Sequence, residues 1–478
     1  METNFREGLT YEDVLIVPKY SEINSRKDCD ISTRLTNKIK LKIPMVSGNM
    51  DTVTEAKMAI AMARLGGIGI IHRYMPIEDH VNEVLKVKRA ESVVIENPYT
   101  LTPEHTLKDA VNLMKEMGIH GIPIIDNVGR YLGILTNKDL LFENNLFKKI
   151  DETMTKKDDS IISKPGISVE IAKEIMKQNK VEKLPLVDDK GILKGLITAK
   201  DLLRRENFPN ATKDKKGKLL VGAAIGVKGD YLERSEALLQ AGASCLMVDI
   251  AHGHSNLAIN CIKTLKNNFG DVDVIAGNVA TSEATLDLIN AGADCVKVGI
   301  GSGAICITRL VAGAGVPQFT ALLDCTKVGK DCDIPIMADG GIGGLSGNFA
   351  KAIAAGASTV MRNRSLAGTD ESPGITIMRN GRKFKIYRGS ASFGANMARS
   401  ERNKKEIDLD YNAEGVEALI PYSGSAEEVI KPFLAGLKSG MSYAGARTIE
   451  EFWNKAEFIK ITHAGYKESL PHDVDLIK

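Results

Sequence analysis

The sequence lacks a charge excess and a long apolar run, and each absence argues against a class of protein. Its 478 residues contain 63 Lys and Arg against 61 Asp and Glu, a balance that argues against a chain built to bind nucleic acid or an anionic membrane. No apolar run reaches the ~18 residues that a membrane-spanning helix needs. The first residues contain no basic segment followed by an apolar one, so we expect no secretory signal.

Cysteine is scarce and shows no pairing pattern. The chain has seven, an odd number without the paired spacing of a metal site. They are Cys29, Cys245, Cys261, Cys295, Cys306, Cys325 and Cys332. Scattered thiols without a disulfide framework are typical of a reducing compartment, so we expect a cytoplasmic protein. We interpret Cys245 and Cys295, which lie in apolar segments, as small buried hydrophobic residues.

Glycine, by contrast, is abundant, and most of its 44 copies lie in short apolar clusters rather than in linkers. This composition is typical of an α/β enzyme. Short apolar segments alternate with helical segments such as 282–291 and 348–355, which indicates a parallel sheet covered on both faces. The predicted strands are 43–47, 68–71, 221–225, 245–249, 272–277, 296–298, 334–338 and 359–361. The alternation predicts a (β/α)8 barrel, also called a TIM barrel.

An internal repeat interrupts this pattern between residues 92 and 207. Each copy reads as a helix, a strand, a polar turn and a second strand, with another helix opening at Asp139 or Asp201. A regular repeat indicates one supersecondary unit that is used twice. The first copy carries Thr106, Ala110, Met114, Pro123, Asp126, Gly133, Thr136 and Asp139, and the second carries Ser168, Ala172, Met176, Pro185, Asp188, Gly195, Thr198 and Asp201.

The segment 299–309 gives the strongest indication of chemistry. Gly299, Gly301 and Gly303 alternate after an apolar strand, and glycine permits sharp turns and close approaches that a Cβ forbids. Ligands of parallel α/β folds bind where strands end and loops begin. Cys306 in this loop is therefore a candidate nucleophile, whose thiolate must be favoured by loop amides or a nearby cation.

Ordered motifs on the predicted strand ends resemble the IMP dehydrogenase/GMP reductase family over nearly the whole chain. They lie at 8–15, 49–55, 249–255, 277–279, 299–309, 338–342, 387–389 and 468–473. The resemblance implies an oxidoreductase of purine nucleotides that uses NAD, or NADPH in the case of a reductase. It further implies a K⁺ site and a homotetramer.

The resemblance also implies roles for single residues. Cys306 matches the nucleophile that attacks purine C2, Thr308 the hydroxyl that assists water or ammonia, Arg402 the base of a mobile flap, and Glu414 the contact to the purine N1 edge. The expected substrate-binding residues are Ser47, Met50, Asp339, Gly340, Gly341, Asn363, Arg364, Tyr387, Gly389 and Glu414, with Asp339 on the ribose hydroxyls. The expected cofactor-binding residues are Asp249, Ser255, Asn278, Gly299 and Gly301. The expected cation ligands are Gly301, Gly303 and Cys306, together with Glu468, Ser469 and Leu470 of a neighbouring subunit.

The repeat resembles a tandem pair of cystathionine-β-synthase (CBS) domains. The resemblance divides the chain into a catalytic barrel at 1–91 and 208–478, a first CBS domain at 92–148 and a second at 149–207. It implies an adenine or guanine nucleotide effector bound by Thr136, Asp139, Thr198 and Asp201. The alternative is that Asp139 and Asp201 only cap the helices that follow them.

The chain departs from the family where the substrate phosphate is expected. Ala304 stands in place of a phosphate-binding serine, and segment 361–366 replaces a turn whose backbone amides hold phosphate. Arg362 and Arg364 can substitute by direct charge pairing with the phosphate dianion.

The sequence leaves more than one activity open. A dehydrogenase oxidises IMP to XMP with NAD and hydrolyses a Cys306 adduct, whereas a reductase deaminates GMP and reduces the same adduct with NADPH. The repeat, segment 53–55 and segment 468–473 favour the dehydrogenase, while Asn49 and the lack of a tyrosine after Arg402 favour the reductase. We favour the dehydrogenase, with GMP reductase as the alternative. A catalytically weak nucleotide sensor that acts through the CBS pair is a further alternative.

Overall fold

The computed structural model describes residues 5–90, 94–200, 202, 208–402 and 412–474, without the side chains of 398–402. Internal contacts divide the chain into two compact units, residues 1–90 with 210–478 and residues 91–209. The first unit is interrupted in sequence by the second. Each unit has its own hydrophobic clusters.

The larger unit is built on a closed barrel of eight parallel strands. The strands in chain order are β4 (Met45–Ser47), β5 (Ile68–Ile71), β12 (Gly222–Ile225), β13 (Cys245–Val248), β14 (Val274–Val279), β15 (Cys295–Val298), β16 (Ile336–Asp339) and β17 (Thr359–Arg362). Their order around the barrel is β12, β13, β14, β15, β16, β17, β4 and β5. Each overlaps one of the eight predicted strands, so the prediction of a (β/α)8 barrel is confirmed.

Helices cover the outside of these strands. The longer ones are Ala56–Arg64, Ile77–Arg89, Tyr231–Gln240, Asn256–Phe269, Ser282–Asn290, Gln318–Asp331, Ser346–Ala354 and Ala426–Tyr443. Shorter ones are Thr308–Val311, Arg364–Ala367, Phe393–Arg402, Ile449–Lys455 and His463–Glu468. Polar side chains cap the first turn of several helices. For example, the Thr281 hydroxyl accepts a hydrogen bond from the Ala284 amide at 3.2 Å and caps helix Ser282–Asn290.

Strand residues alternate between two hydrophobic layers because successive side chains point to opposite faces. On β13, Leu246 and Val248 join the large cluster that includes the outer helices. Cys245 and Met247 join a smaller cluster with one or two residues from each barrel strand, which is the barrel interior. Cys245 and Cys295 are fully buried in that interior, where burial raises the pKa of each thiol. Their prediction as buried hydrophobic residues is confirmed.

Smaller sheets complete the larger unit. β1 (Val14–Ile16) pairs antiparallel with β21 (Phe458–Lys460), and β2 (Thr33–Arg34) pairs with β3 (Lys40–Leu41). β18 (Thr376–Arg379), β19 (Arg382–Arg388) and β20 (Glu417–Pro421) form an antiparallel sheet. The last of these sheets places segment 387–389 and segment 412–416 beside each other, which matters for the site.

The inserted unit contains the predicted repeat as two similar halves. The first has helix Leu107–Met117, β7 (Gly121–Ile125), β8 (Tyr131–Thr136) and helix Asn137–Leu140, with β9 (Thr155–Lys156) beside β8. The second has helix Val169–Asn179, β10 (Lys183–Val187) and β11 (Leu193–Thr198), with β6 (Val94–Ile95) beside β11. In both halves the two main strands pair antiparallel. The assignment of these halves to CBS domains stays a prediction.

We also searched the helices for membrane spans. Within the described ranges, none is both long and apolar enough to cross a bilayer.

Candidate active site

The loop that follows β15 is held against the end of β16. Gly299 has a φ of +153°, and a Cβ on it would lie 2.0 Å from the Asp339 carbonyl oxygen. The Ser302 hydroxyl donates to that same carbonyl at 3.0 Å, and the Gly341 amide donates to the Ser302 carbonyl at 2.9 Å. Glycine at 299 is therefore required for the close approach of two strand ends.

Cys306 lies in this loop with a hydroxyl beside its sulfur. Its side chain is half-buried, and its Sγ lies 3.1 Å from Thr308 Oγ1. The Cys306 amide donates to the Gly303 carbonyl at 3.1 Å, which fixes the turn that presents the thiol. The thiol and hydroxyl line a cavity of about 500 Å³ at the carboxyl ends of the barrel strands, where ligands of such barrels bind.

The cavity brings together most of the site residues predicted from the sequence. These are Met50, Asp249, Asn278, Gly299, Gly301, Gly303, Cys306, Thr308, Asp339, Asn363, Tyr387, Gly389 and Glu414. Five of the expected substrate- and cofactor-binding residues stand outside its lining: Ser47, Ser255, Gly340, Gly341 and Arg364. Ser47 is fully buried and accepts a hydrogen bond from Thr54 at 2.9 Å, whereas Ser255 caps helix Asn256–Phe269 through the Ala258 amide at 3.4 Å.

The backbone amide of Gly341 donates a hydrogen bond to the Ser302 carbonyl, so it has no free hydrogen to offer a ligand.

Glu414 reaches the cavity because its segment pairs with two others. The Ile307 amide donates to the Glu414 carbonyl at 2.8 Å, and the Glu414 amide donates to the Ala391 carbonyl at 3.0 Å. The next residue, Gly415, forms bridges with both Cys306 and Ser392. These backbone contacts fix Glu414 between the Cys306 loop, residues 299–309, and segment 389–392.

Asp339, at the end of β16, is the centre of a polar network. Lys297 Nζ lies 3.1 Å and Asn278 Nδ2 lies 3.0 Å from its Oδ2 atom. Asn363 Nδ2 lies 3.3 Å from its Oδ1 atom. Lys297 is only 4% exposed and is a site residue that our reading of the sequence missed, although a lysine inside the buried strand 295–298 was a visible signal.

A second network surrounds Asp249, which follows β13. Arg73 Nε and the Tyr74 hydroxyl both donate to Asp249 Oδ2 at 2.9 Å. Burial alone would raise the pKa of Asp249, but the positive charges of Arg73 and Lys297 outweigh it and hold the pKa below its usual range. Arg73 and Tyr74 also line the cavity and were missed from the sequence.

The two arginines of the altered phosphate turn have different surroundings. Arg362 is 5% exposed, lies 4.2 Å from the Phe433 ring centre and donates from Nη2 to the Gly343 carbonyl at 2.8 Å. Burial lowers its pKa to about 10. Arg364 is exposed. The Arg362 guanidinium therefore bonds within the protein. Arg364 is the arginine of this turn whose charge is exposed.

Two predicted features lie wholly or partly beyond what the structure describes. The Arg402 side chain and Asp201 are outside the described part of the chain. Glu468, Ser469 and Leu470 end the helix His463–Glu468 and follow it; the expected cation site joins them to another subunit. Among the described residues, no group of three or more His, Cys, Asp or Glu side chains could hold a metal ion.

The inserted unit has a cavity of its own, also of about 500 Å³. Thr136 and Asp139 line it together with His120, Lys138 and Lys183. Asp139 Oδ2 accepts from the Thr136 amide at 2.6 Å and from its hydroxyl at 2.7 Å, so the capping contact that we considered is present.

Comparison with known proteins identifies the family. The model of the IMP dehydrogenase / GMP reductase domain matches residues 8–472. This chain belongs to the IMP dehydrogenase/GMP reductase family. The family expected from the sequence motifs is thereby confirmed.

Relatives with both activities are found among members of the family. An inosine-5′-monophosphate dehydrogenase of Nitrosopumilus maritimus is 52% identical to this chain, over 99% of this chain's length and 100% of its own length. One of Aquifex aeolicus is 50% identical over 100% of this chain and 98% of its own. A GMP reductase of Trypanosoma brucei, solved with guanosine 5′-monophosphate, has a TM-score of 0.94 at 43% identity and covers 99% of both chains. This member of the family is thus a purine-nucleotide oxidoreductase.

Proposed function

We propose that the protein is an IMP dehydrogenase, which oxidises IMP to XMP with NAD through a covalent bond to Cys306. The observation that carries this proposal is the Cys306 thiol, 3.1 Å from the Thr308 hydroxyl, in a cavity that Asp339, Asp249 and Glu414 also line. The proposal assigns the chain to guanine nucleotide biosynthesis.

The chemistry proceeds in two stages. The Cys306 thiolate adds to C2 of the purine and the C2 hydrogen leaves as a hydride, which gives a thioimidate. Water then adds to C2 and the thiolate leaves, which releases XMP. NAD supplies the hydride acceptor, and Asp249, Asn278 and Gly301 are the residues proposed to hold it.

Three side chains would assist these stages. The Thr308 hydroxyl is close enough to Cys306 to exchange a proton with the sulfur or with the attacking water. Glu414, whose backbone is held by Ile307 and Ala391, would contact the N1 edge of the base. Arg402 is proposed as the base that activates water, as the family resemblance implies.

The substrate phosphate would be held by charge rather than by a cradle of amides. Arg364 is the exposed cation of the altered turn, and Tyr387 lines the cavity, where burial raises the pKa of its hydroxyl and keeps it protonated. We expect Arg364 to pair with the phosphate dianion, with the Tyr387 hydroxyl as a further donor.

The remaining partners follow from the family. A K⁺ ion would be held by carbonyls of Gly301, Gly303 and Cys306 and of segment 468–470 in a neighbouring subunit of a homotetramer. An adenine or guanine nucleotide would bind the inserted unit, where Thr136, Asp139 and two lysines line the cavity. A cytoplasmic location agrees with these partners.

GMP reductase is the second candidate, and one residue favours it. Asn49, a residue type that the family resemblance associates with reductases at this position, is 5% exposed and lines the cavity beside Met50. The inserted unit does not separate the two activities, because the trypanosomal GMP reductase aligns over 99% of both chains. The identities of about half to named IMP dehydrogenases support the first candidate.

Trapping the covalent adduct tests the shared chemistry and its direction. With IMP and NAD, we expect the intact protein to gain the mass of IMP less two hydrogens, and the Cys306→Ala variant to gain nothing. A reductase would form the same adduct from GMP alone, with release of ammonia. Adduct from GMP but none from IMP with NAD would contradict the proposal.

A further inference from the structure

The carboxylate of Asp249 is held by donors from two consecutive residues. Arg73 Nε and the Tyr74 hydroxyl each lie 2.9 Å from Asp249 Oδ2. Both donors follow β5, whereas Asp249 follows β13, and β12 lies between these two strands in the barrel. The segment after β5 therefore reaches past the end of β12, and the orientation of Asp249 depends on how that segment is held.

His72, the first residue after β5, holds this segment from inside the protein. Its side chain has no exposed surface. The Tyr74 amide donates to His72 Nδ1 at 3.1 Å, and the imidazole stacks on the Tyr74 ring with the ring centres 5.8 Å apart. One side chain thus fixes both the backbone and the ring of the residue whose hydroxyl reaches Asp249.

These contacts also determine which nitrogen of His72 carries the proton. A backbone N–H only donates, so Nδ1 is the unprotonated nitrogen of a neutral imidazole and Nε2 is the protonated one. Nε2 lies 3.3 Å from Oε1 of Glu55, the residue before helix Ala56–Arg64, and it donates to that carboxylate. Each ring nitrogen therefore has one partner of the matching kind, and the ring cannot turn over without losing both.

We propose that His72 is a positioning residue for the cofactor: its Nδ1 atom fixes Tyr74, and through Tyr74 it orients the Asp249 carboxylate towards the dinucleotide. The inference rests on the proposed function, because that function assigns Asp249 to the cofactor. Arg73, Tyr74 and Asp249 line the Cys306 cavity, and His72 is not part of its lining. His72 therefore acts on a ligand only through its neighbours, as a support that holds a binding group in one geometry.

Two substitutions separate the two nitrogens of the imidazole. His72→Asn places an amide oxygen where Nδ1 stood and keeps an acceptor for the Tyr74 amide. His72→Gln places its amide where Nε2 stood, so it keeps the contact with Glu55 and leaves the Tyr74 amide without its acceptor. We expect His72→Gln to weaken binding of the dinucleotide by about tenfold and His72→Asn to weaken it by less than about threefold, since the first loses a hydrogen bond that supports a charged group.

Calorimetry on the full chain measures these effects without turnover. Each variant is made in the Cys306→Ala protein, which cannot form the adduct. The dissociation constants of IMP and GMP are measured first, and those of NAD and NADPH are then measured on the protein saturated with IMP or GMP. We expect the nucleotide constants to stay unchanged, because other residues are proposed to hold the nucleotide, whereas a general loss of structure would weaken both classes of ligand. His105→Gln, the same substitution at an exposed histidine of the inserted unit, is the matched control and should change neither.

Tyr74→Phe removes the hydroxyl that contacts Asp249 and tests the route of the effect. If His72 acts through Tyr74, the two substitutions remove the same contact. The variant that combines His72→Gln with Tyr74→Phe should then weaken dinucleotide binding by clearly less than the product of the two single effects.

The outcomes separate this inference from the proposed function. Equal losses in His72→Asn and His72→Gln, a loss of nucleotide affinity as large as the loss of dinucleotide affinity, or a double variant that shows the full product would each overturn the inference and leave the proposed function standing. If neither dinucleotide binds the Cys306→Ala protein, the proposed function is contradicted and the inference falls with it.

Thermal unfolding shows whether each variant is folded. If His72→Gln is not, nitrogen NMR of the unaltered protein with isotope-labelled histidine decides the question instead. We expect the proton of the His72 ring on Nε2, and a proton on Nδ1 would overturn the inference because the Tyr74 amide would have no acceptor there.

Discussion

The cysteines differ more in their surroundings than in their sequence context. Burial raises the pKa of five of them, which makes those thiols poor nucleophiles. Cys332 is exposed at the end of a helix. Cys306 alone among the described residues combines partial exposure, a neighbouring hydroxyl and a cavity. A nucleophile needs all three, because the thiolate must form, be stabilised and meet substrate.

The hydroxyl of Thr308 gives the first prediction at this scale. Thr308→Val keeps the shape of the side chain and removes the group 3.1 Å from Cys306 Sγ. We expect kcat to fall by about 100-fold, a typical loss for proton transfer, with little change in nucleotide affinity. Steady-state kinetics beside calorimetry measure both. Thr308→Ser keeps a hydroxyl and should keep most of the activity; equal losses in both variants would show that the hydroxyl is not used.

Single residues also mark the limit of prediction from sequence. Cys306 and Thr308 were predictable because glycine spacing and family motifs are local. The contact of Lys297 with Asp339 was not predicted, because it joins β15 to β16 and depends on which strands become neighbours. Arg362 was expected to pair with the substrate phosphate. In the structure its guanidinium packs instead on the ring of Phe433, a residue so distant in sequence that the contact could not be predicted.

At the scale of elements, the Cys306 loop depends on the close approach of two strand ends, Gly299 after β15 and Asp339 at the end of β16. The Gly299 backbone passes so close to the Asp339 carbonyl that a Cβ has no space. Ser302 then joins the loop to the end of β16 through one hydrogen bond to Asp339 and to the segment after that strand through one from Gly341. The thiol of one loop and the carboxylate of the next strand are therefore positioned together, so a change at their contact moves both.

Gly299→Ala tests this contact. We expect the protein to lose roughly 1–3 kcal/mol of unfolding free energy, from a positive φ and the clash with Asp339, and to lose nearly all turnover. Denaturant unfolding and kinetics measure the two effects. Gly344→Ala, where a Cβ meets nothing within 4 Å, should change neither. Full activity in Gly299→Ala would contradict the geometry of the loop.

Elements differ in how far the sequence predicts them. All eight barrel strands were predictable, because continuous apolar runs between helices are a local pattern. The sheet of β18, β19 and β20 was not predicted. Its exposed strands, such as β18, lack that pattern, and pairing between residues far apart in sequence is set by the tertiary fold. The position of Glu414 depends on this sheet, so only the family motif indicated it.

For the whole molecule, the two barrel segments that flank the inserted unit in sequence are joined to the barrel unit by hydrogen bonds of their own. Lys88 Nζ, near the exit, contacts Asp214 at 3.1 Å and the Leu219 carbonyl at 2.9 Å. On the return side, the Thr212 amide donates to the Ala63 carbonyl at 2.8 Å. These contacts lie within the barrel unit itself, so the barrel does not need the insertion to hold its ends together.

Replacement of residues 91–209 by a short Gly-Ser linker tests that independence. We expect the shortened chain to unfold cooperatively and to keep kcat within about threefold, because each unit has its own core. With the Cys306 cavity saturated by IMP and NAD, we also expect it to lose any further stabilisation by adenine or guanine nucleotides that the full chain shows in thermal unfolding. A shortened chain that does not fold would contradict the division into units.

The direction of the reaction is tested most directly by two absorbance assays on the purified full chain. With IMP and NAD, we predict production of NADH, abolished in the Cys306→Ala variant. With GMP and NADPH, we predict no consumption of NADPH. Consumption of NADPH with GMP, without NADH production from IMP, would contradict the proposed dehydrogenase and establish a GMP reductase.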